Sequence, residues 1–262
     1  MGISAYIILF AVCSIVGWIF ETVYSIIHSR KWERRGFLFG PLCPIYGVGV
    51  VALILLEQCI SYFGFSLTWW GVALISFFGS MVLELITYWI LEKFFHAYWW
   101  DYSNLPLNYK GKICIPASLA FAAGGLLAIY VVKPLWVAGI GLMHPVLVDI
   151  IAYIIVIIMT IDCTVTINAL SDFERKVSAL DNQFNEQMSG YVDTATEARA
   201  EKLNALKQKS TEFYETHIQA IVQDMTPIAR NANERVKGFR LPSYSRAKEI
   251  LDNLRSRTKR PK

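Results

Sequence analysis

The sequence predicts an all-α membrane protein: a five-helix transmembrane bundle, N-terminus outside and C-terminus inside, followed by a cytoplasmic helical, coiled-coil-like tail. Three observations carry this prediction. Apolar residues make up 55% of the 262 positions and mean hydropathy is +0.40, above the usual range of soluble domains. Five stretches reach the roughly 20 apolar residues that a helix needs to cross a bilayer. Charge is segregated: residues 1–168 hold eight Lys/Arg and eight Asp/Glu, whereas residues 169–262 hold seventeen and thirteen. The expected organisation is therefore a transmembrane domain over 1–168 and a cytoplasmic tail over 169–262.

The five expected spans are 3–27, 45–63, 69–91, 115–133 and 144–168. The first carries no basic residue ahead of its apolar run and no small-residue cleavage site, so it reads as a retained helix and not a signal peptide. Arg30, Lys31, Arg34 and Arg35 lie between the first and second spans. Lys93, Lys110 and Lys112 lie between the third and fourth. The connection 64–68 has no basic residue, and Lys133 stands alone near the fourth-to-fifth turn. The positive-inside rule then puts both charged loops, and the tail, in the cytoplasm. Trp69-Trp70 on the outer side and Tyr98-Trp99-Trp100 with Tyr102 on the inner side are expected to form interfacial aromatic belts.

The two charged turns share a pattern. Gly17 and Glu21 precede the first, which continues through Gly36 to Gly40-Pro41-Leu42-Cys43-Pro44 and Gly47. Gly79 and Glu84 precede the second, which ends Gly111, Cys114-Ile115-Pro116. Each Cys/Pro pair falls where a helix restarts, a place proline tolerates because the first N–H groups of a helix lack partners. The pattern suggests two parallel copies of one hairpin, and Gly40, Pro41, Cys43, Pro44 and Gly47 are its structural turn.

The tail starts with heptad spacing, Leu170, Val177, Phe184 and Tyr191, over a coiled-coil-like region 170–225. This region either folds back on the protein or pairs with a partner or a second copy. Thr226-Pro227 should break the helix. Residues 228–262 carry a net charge of +8, which suits anionic lipid headgroups; nothing in the chain suggests nucleic acid.

Ionisable residues inside apolar helices are costly, which makes them functional candidates. Glu21 and Glu84 lie at matching depth, ~9–11 Å below the inner boundary at 1.5 Å per residue. Tyr24 and Tyr88 lie one helical turn away and can hydrogen-bond back. Asp162 falls at a similar inner level; Glu57 and Asp149 fall nearer the outer face. No Lys or Arg sits deep in the five expected spans, so the acids either hold protons, bind a cation or amine, or meet Arg34, Arg35, Lys110 or Lys112 from the loops. Trp100, Asp101 and Asn108 add hydrogen-bonding groups, Asp101 as a partner for Arg34 or Arg35 and Asn108 with Gly111 as a turn. The expected binding set is thus Glu21, Glu84, Arg34, Arg35, Trp100, Asp101, Asn108 and Lys110.

No phosphate loop is present, since Gly111-Lys112 is followed by Ile113, so any ATP would be hydrolysed by a separate subunit. There is no nucleophile elbow or His-Glu-x-x-His, and four dispersed histidines and five scattered cysteines imply no metal, cofactor or disulfide framework. Three function classes remain: a transport component with a cytoplasm-facing polar pocket; a membrane-anchored scaffold or regulator acting through its coiled coil; and an intramembrane enzyme on a lipid-phosphate substrate, with Glu21 or Glu84 as acid or base.

Gly17-Trp18 with Glu21, Arg35-Gly36-Phe37, Gly40-Pro41 with Cys43-Pro44-Ile45-Tyr46-Gly47, Glu84, Trp100-Asp101-Tyr102-Ser103, Asn108, Gly111 and Ile113-Cys114 together resemble the CmpB family of bacterial membrane proteins, over residues 5–165. The resemblance implies a multi-span inner-membrane protein and favours the transport reading. The tail from about 170 lies outside it.

Overall fold

In the computed structural model, which describes residues 2–29, 36–193, 220 and 225–239, helices dominate. They are α1 (Ile3–Ser29), α2 (Pro44–Tyr62), α3 (Trp69–Phe95), α4 (Ile115–Leu127), α5 (Lys133–Gly141), α6 (Pro145–Asp193) and α7 (Pro227–Arg235). Four two-residue strands accompany them: β1 (Ala97–Tyr98), β2 (Asn108–Tyr109), β3 (Ile113–Cys114) and β4 (Gly238–Phe239). Five helical segments are long and apolar enough to cross a membrane: Ile3–Ile27, Pro44–Tyr62, Trp69–Phe95, Ile115–Gly141 and Pro145–Phe173.

The fourth segment is longer than the sequence suggests. Pro134 looks like its end, yet a π-helical turn, Ala128–Val132, joins α4 to α5 and the rod continues to Gly141. A π-turn locally resets the hydrogen-bond ladder, so a proline without an N–H is accommodated at the start of α5. Lys133 therefore lies inside a span, where the sequence places no base, and its ammonium pairs with Glu57 of α2. The pairing gives Glu57 a structural role in place of an interfacial one.

Antiparallel hairpins build the bundle. The α1–α2 pair and the α3–α4 pair each close through a long connection, and all four ends meet at one pole of the bundle, here called the loop end. Helix α6 packs on α1. At the opposite pole Ser4 donates to Asp149, and Tyr6 donates to Gln58 Oε1 at 2.6 Å.

Small residues set the close approaches. A Cβ on Gly47 would collide with Ser14 and with the Phe10 carbonyl, so α2 rides directly on α1. A Cβ on Gly125 would collide with Ser76, so α4 rides on α3. Between them an apolar core forms from Leu9, Leu53, Ile54, Val72, Ala128 and Ile129.

The region after the last span also packs onto the loop end. Thr226 caps α7, accepting from the Ala229 N–H at 3.2 Å, with Pro227 in the first turn; this is the break that Thr226-Pro227 predicts. Met225, Ala229, Ala232 and Val236 are buried against Leu91, Ala97, Trp99, Ala169, Leu170 and Phe173. Full burial of a Met or Val side chain is worth about 1.5–3 kcal/mol, so this docking is a substantial interaction. Strand β4 pairs antiparallel with β1, Ala97 opposite Phe239 and Tyr98 opposite Gly238. Trp69 and Trp70, at the pole opposite the loop end, are exposed. At the loop end Tyr98, Trp100 and Tyr102 are half-buried, and Trp99 is buried between Phe37 and Phe95, with ring centroids 5.4 and 6.1 Å away. Trp99, expected in a belt, instead joins the core that the tail covers.

Candidate functional site

Both acids singled out by depth are met by a phenol at the loop end. Tyr46, in the first turn of α2, donates to Glu21 Oε1 of α1 at 2.6 Å. Tyr102, in the connection between β1 and β2, donates to Glu84 Oε1 of α3 at 2.8 Å. Glu84 is 3% exposed, and its second oxygen is buried without a hydrogen-bond partner among the described residues. Both pairs lie at the loop end, where the α1–α2 and α3–α4 hairpins close. Burial first, then the Glu84 carboxylate and its hydrogen bond, push the Tyr102 phenol well above its ordinary range. It therefore stays a hydrogen-bond donor throughout physiological pH.

Local sequence explains how the phenols arrive. Gly17 clears a space on α1 that the Tyr46 ring fills; any Cβ there would overlap the ring. Tyr46 then packs at a tilt against Phe121 of α4, ring centroids 5.6 Å apart, which joins the two hairpins. Tyr24 is half exposed against Phe20, and Tyr88 is buried against Tyr98 and Trp100. Spacing along one helix points to Tyr24 and Tyr88; it cannot reveal a phenol that a loop carries back to the acid. The nearest sequence signal is that each acidic hairpin also holds a tyrosine in its re-entry stretch.

The two re-entry turns match in detail. Cys43 and Cys114 stand in extended conformation at the N-caps of α2 and α4, each with proline in the first turn. The Cys43 N–H donates to the Ser14 carbonyl at 2.9 Å, and the Ile115 N–H to the Leu107 carbonyl at 3.2 Å. In the first turn, Gly36 adopts φ +93°, and Gly40 lies so close to Asp162 that a Cβ would stand 2.9 Å from Oδ2. Asp162 grips that turn, accepting from the Phe39 and Gly40 N–H groups, both at 2.8 Å. Arg235 of α7 donates to the Phe39 carbonyl at 2.7 Å and stacks over its ring. The Phe39 peptide is thus held from both sides. Pro41 lies within this folded turn.

Polar residues of the second connection mostly satisfy one another. Asp101 accepts from the Ser103 N–H and hydroxyl. Asn108 Nδ2 donates to the Leu105 carbonyl, and its Oδ1 accepts from Gly111 N–H, so that N–H is engaged within the turn and not presented to a ligand. Gly111 has φ +70°, and a Cβ would strike Asp101. Trp100 donates to the Lys112 carbonyl at 2.9 Å. Lys112 pairs with Glu92 at 2.8 Å and covers the Tyr88 ring; Lys110 lies over Tyr109. Of the expected binding set, Glu21 and Glu84 each receive a phenol hydrogen bond at the loop end, whereas Trp100, Asp101 and Asn108 bond within their own connection. Arg34 and Arg35 lie outside the described residues, as do Arg30, Lys31 and most of the 194–224 stretch of the expected coiled coil. No cluster of three or more metal-ligating side chains occurs among the described residues.

The model of the CmpB family, described as "Putative ABC-transporter type IV", matches residues 8–167. This chain belongs to the CmpB family. The match covers both hairpins and the membrane part of α6, and leaves this chain's tail outside. With its five apolar segments, the family fits a multi-pass membrane protein related to ABC transporters. No curated protein and no solved structure matches the chain.

The Asp162 clamp gives a direct expectation. Asp162→Ala strands two backbone N–H groups, at roughly 1–3 kcal/mol each. Hydrogen exchange at residues 39 and 40 should then accelerate while exchange in mid-α1 is unchanged. Unaltered exchange at both amides would show that the clamp contributes nothing.

Proposed function

We propose that this CmpB-family chain is the membrane-spanning component of a transporter, and that its loop end forms a cytoplasm-facing polar pocket around Glu21 and Glu84. The observation that carries this is the pairing of two carboxylates, Glu84 buried and Glu21 half-buried, with two phenols at one pole of an apolar bundle. Ionisable groups in such surroundings are retained at a cost, which favours a functional explanation. The pocket would take a small cationic or amine-bearing solute, because carboxylates supply charge and the phenols supply orientation. Lys110, Trp100, Asp101 and Asn108 belong to the connection that would border that pocket.

Orientation follows from the basic residues of the two connections, which place the loop end and the C-terminal tail in the cytoplasm. Residues 1–168 form the transmembrane domain and 169–262 the cytoplasmic tail. ATP hydrolysis belongs to a separate subunit, as the chain has no phosphate loop. A second reading, a scaffold that recruits a partner or a second copy through residues 170–225, is favoured by the single unbroken helix α6 that carries the fifth segment on to Asp193.

Two measurements test this. Glu21→Gln with Glu84→Gln should abolish uptake of amine-bearing solutes into vesicles while the protein still inserts at normal yield; unchanged uptake removes the transport claim. A fluorescent protein fused to the C-terminus should fluoresce in cells, and a phosphatase inserted at 64–68 should be active only if exported. The opposite pattern overturns the orientation.

A further inference from the structure

The segment Met225–Phe239 touches both connections that deliver the phenols. Arg235 holds the Phe39 carbonyl, seven residues before Tyr46. The Lys237 N–H donates to the Tyr98 carbonyl at 2.8 Å, four residues before Tyr102. Strand β4 pairs with β1, and Val236 and Ala232 are buried with Trp99 and Leu91. Phe37, Phe39, Phe95 and Trp100 pack around this cluster.

We propose that Met225–Phe239 is a latch: seated, it holds the two connections in the position that sets Tyr46 on Glu21 and Tyr102 on Glu84; lifted, it releases both and opens the acid site to solvent. Three features suit reversible docking. Helix α7 has nine residues, too few to persist alone, so lifting and melting are one event. Its strand pairing is two residues long. Asn233 Oδ1 and Trp99 Nε1 are buried without a hydrogen-bond partner among the described residues, which works against the seated state. Both connections are held at backbone atoms, so one motion of the tail acts on both phenols together. The proposal concerns access to the site and does not depend on what crosses the membrane.

The test uses the full chain in membrane vesicles. Alkylation by a water-soluble maleimide is followed at each native cysteine by mass spectrometry. Cys43 and Cys114, buried at the two re-entry turns, report on the site; Cys13, buried in the bundle core, reports on the fold. Separately, a cysteine pair from Ala97→Cys with Phe239→Cys reports docking, since those positions face each other across the strand pair. Ala232→Trp, which overfills the docking surface, should prevent that disulfide. It should speed alkylation of Cys43 and Cys114 about tenfold, equivalent to ~1.4 kcal/mol in the opening equilibrium, and leave Cys13 protected. Arg235→Ala should move the same two cysteines in the same direction by less. Unchanged labelling in both variants, exposure of Cys13 along with the others, or no disulfide in the otherwise unaltered chain would each overturn the latch.

Discussion

A carboxyl group inside an apolar bundle needs a hydrogen-bond donor, and in this chain that need shapes an entire pole of the molecule. Glu21 and Glu84 lie on outgoing helices whose own turns do not supply the phenols found on them. The donors come from chain that has left the helix and returned: Tyr46 from the start of α2, Tyr102 from the connection before α4. Reaching Glu21 requires a close approach that only glycine permits, at Gly17 beneath the Tyr46 ring. The connections are therefore folded objects with fixed backbones, and the remainder of the loop end is arranged to hold them.

That holding comes from opposite directions. Asp162 reaches out of α6 to bind the Phe39 and Gly40 N–H groups, and Arg235 reaches in from α7 to bind the Phe39 carbonyl. Asp162 is an instance of an intramembrane acid whose role is structural in the first place: its two oxygens satisfy backbone donors that would otherwise be orphaned. Glu57 is another, paired with Lys133. Such satisfied acids contrast with Glu84, one oxygen of which is buried with no partner among the described residues. The contrast separates acids that complete the fold from the acid that remains a candidate for chemistry.

Much of this architecture is legible in the sequence, and the failures have identifiable causes. Helix existence follows from apolar length, and the twin Cys/Pro restarts are visible as spacing. The depth of Glu21 and Glu84 follows from counting residues along a helix. Lys133 was hidden because proline normally ends a helix, and no local signal announces a π-turn that carries the rod past Pro134. Trp99 reads as part of a belt because a lipid-facing belt and a buried aromatic core share one composition; only the return of α7, more than a hundred residues later, distinguishes them. Tyr46 and Tyr102 escaped for the same reason: periodicity describes neighbours on one helix, whereas these contacts are made by chain reversal.

The central proposal is that Glu21 and Glu84, from separate hairpins, face one shared site. A chain carrying Glu21→Cys and Glu84→Cys, with native cysteines replaced by alanine and a protease site inserted at 64–66, measures this directly. After treatment with a short bifunctional thiol reagent and cleavage, the two fragments should remain joined on a denaturing gel. Fragments that separate, although both introduced cysteines have reacted, would place the acids in different sites and contradict the account.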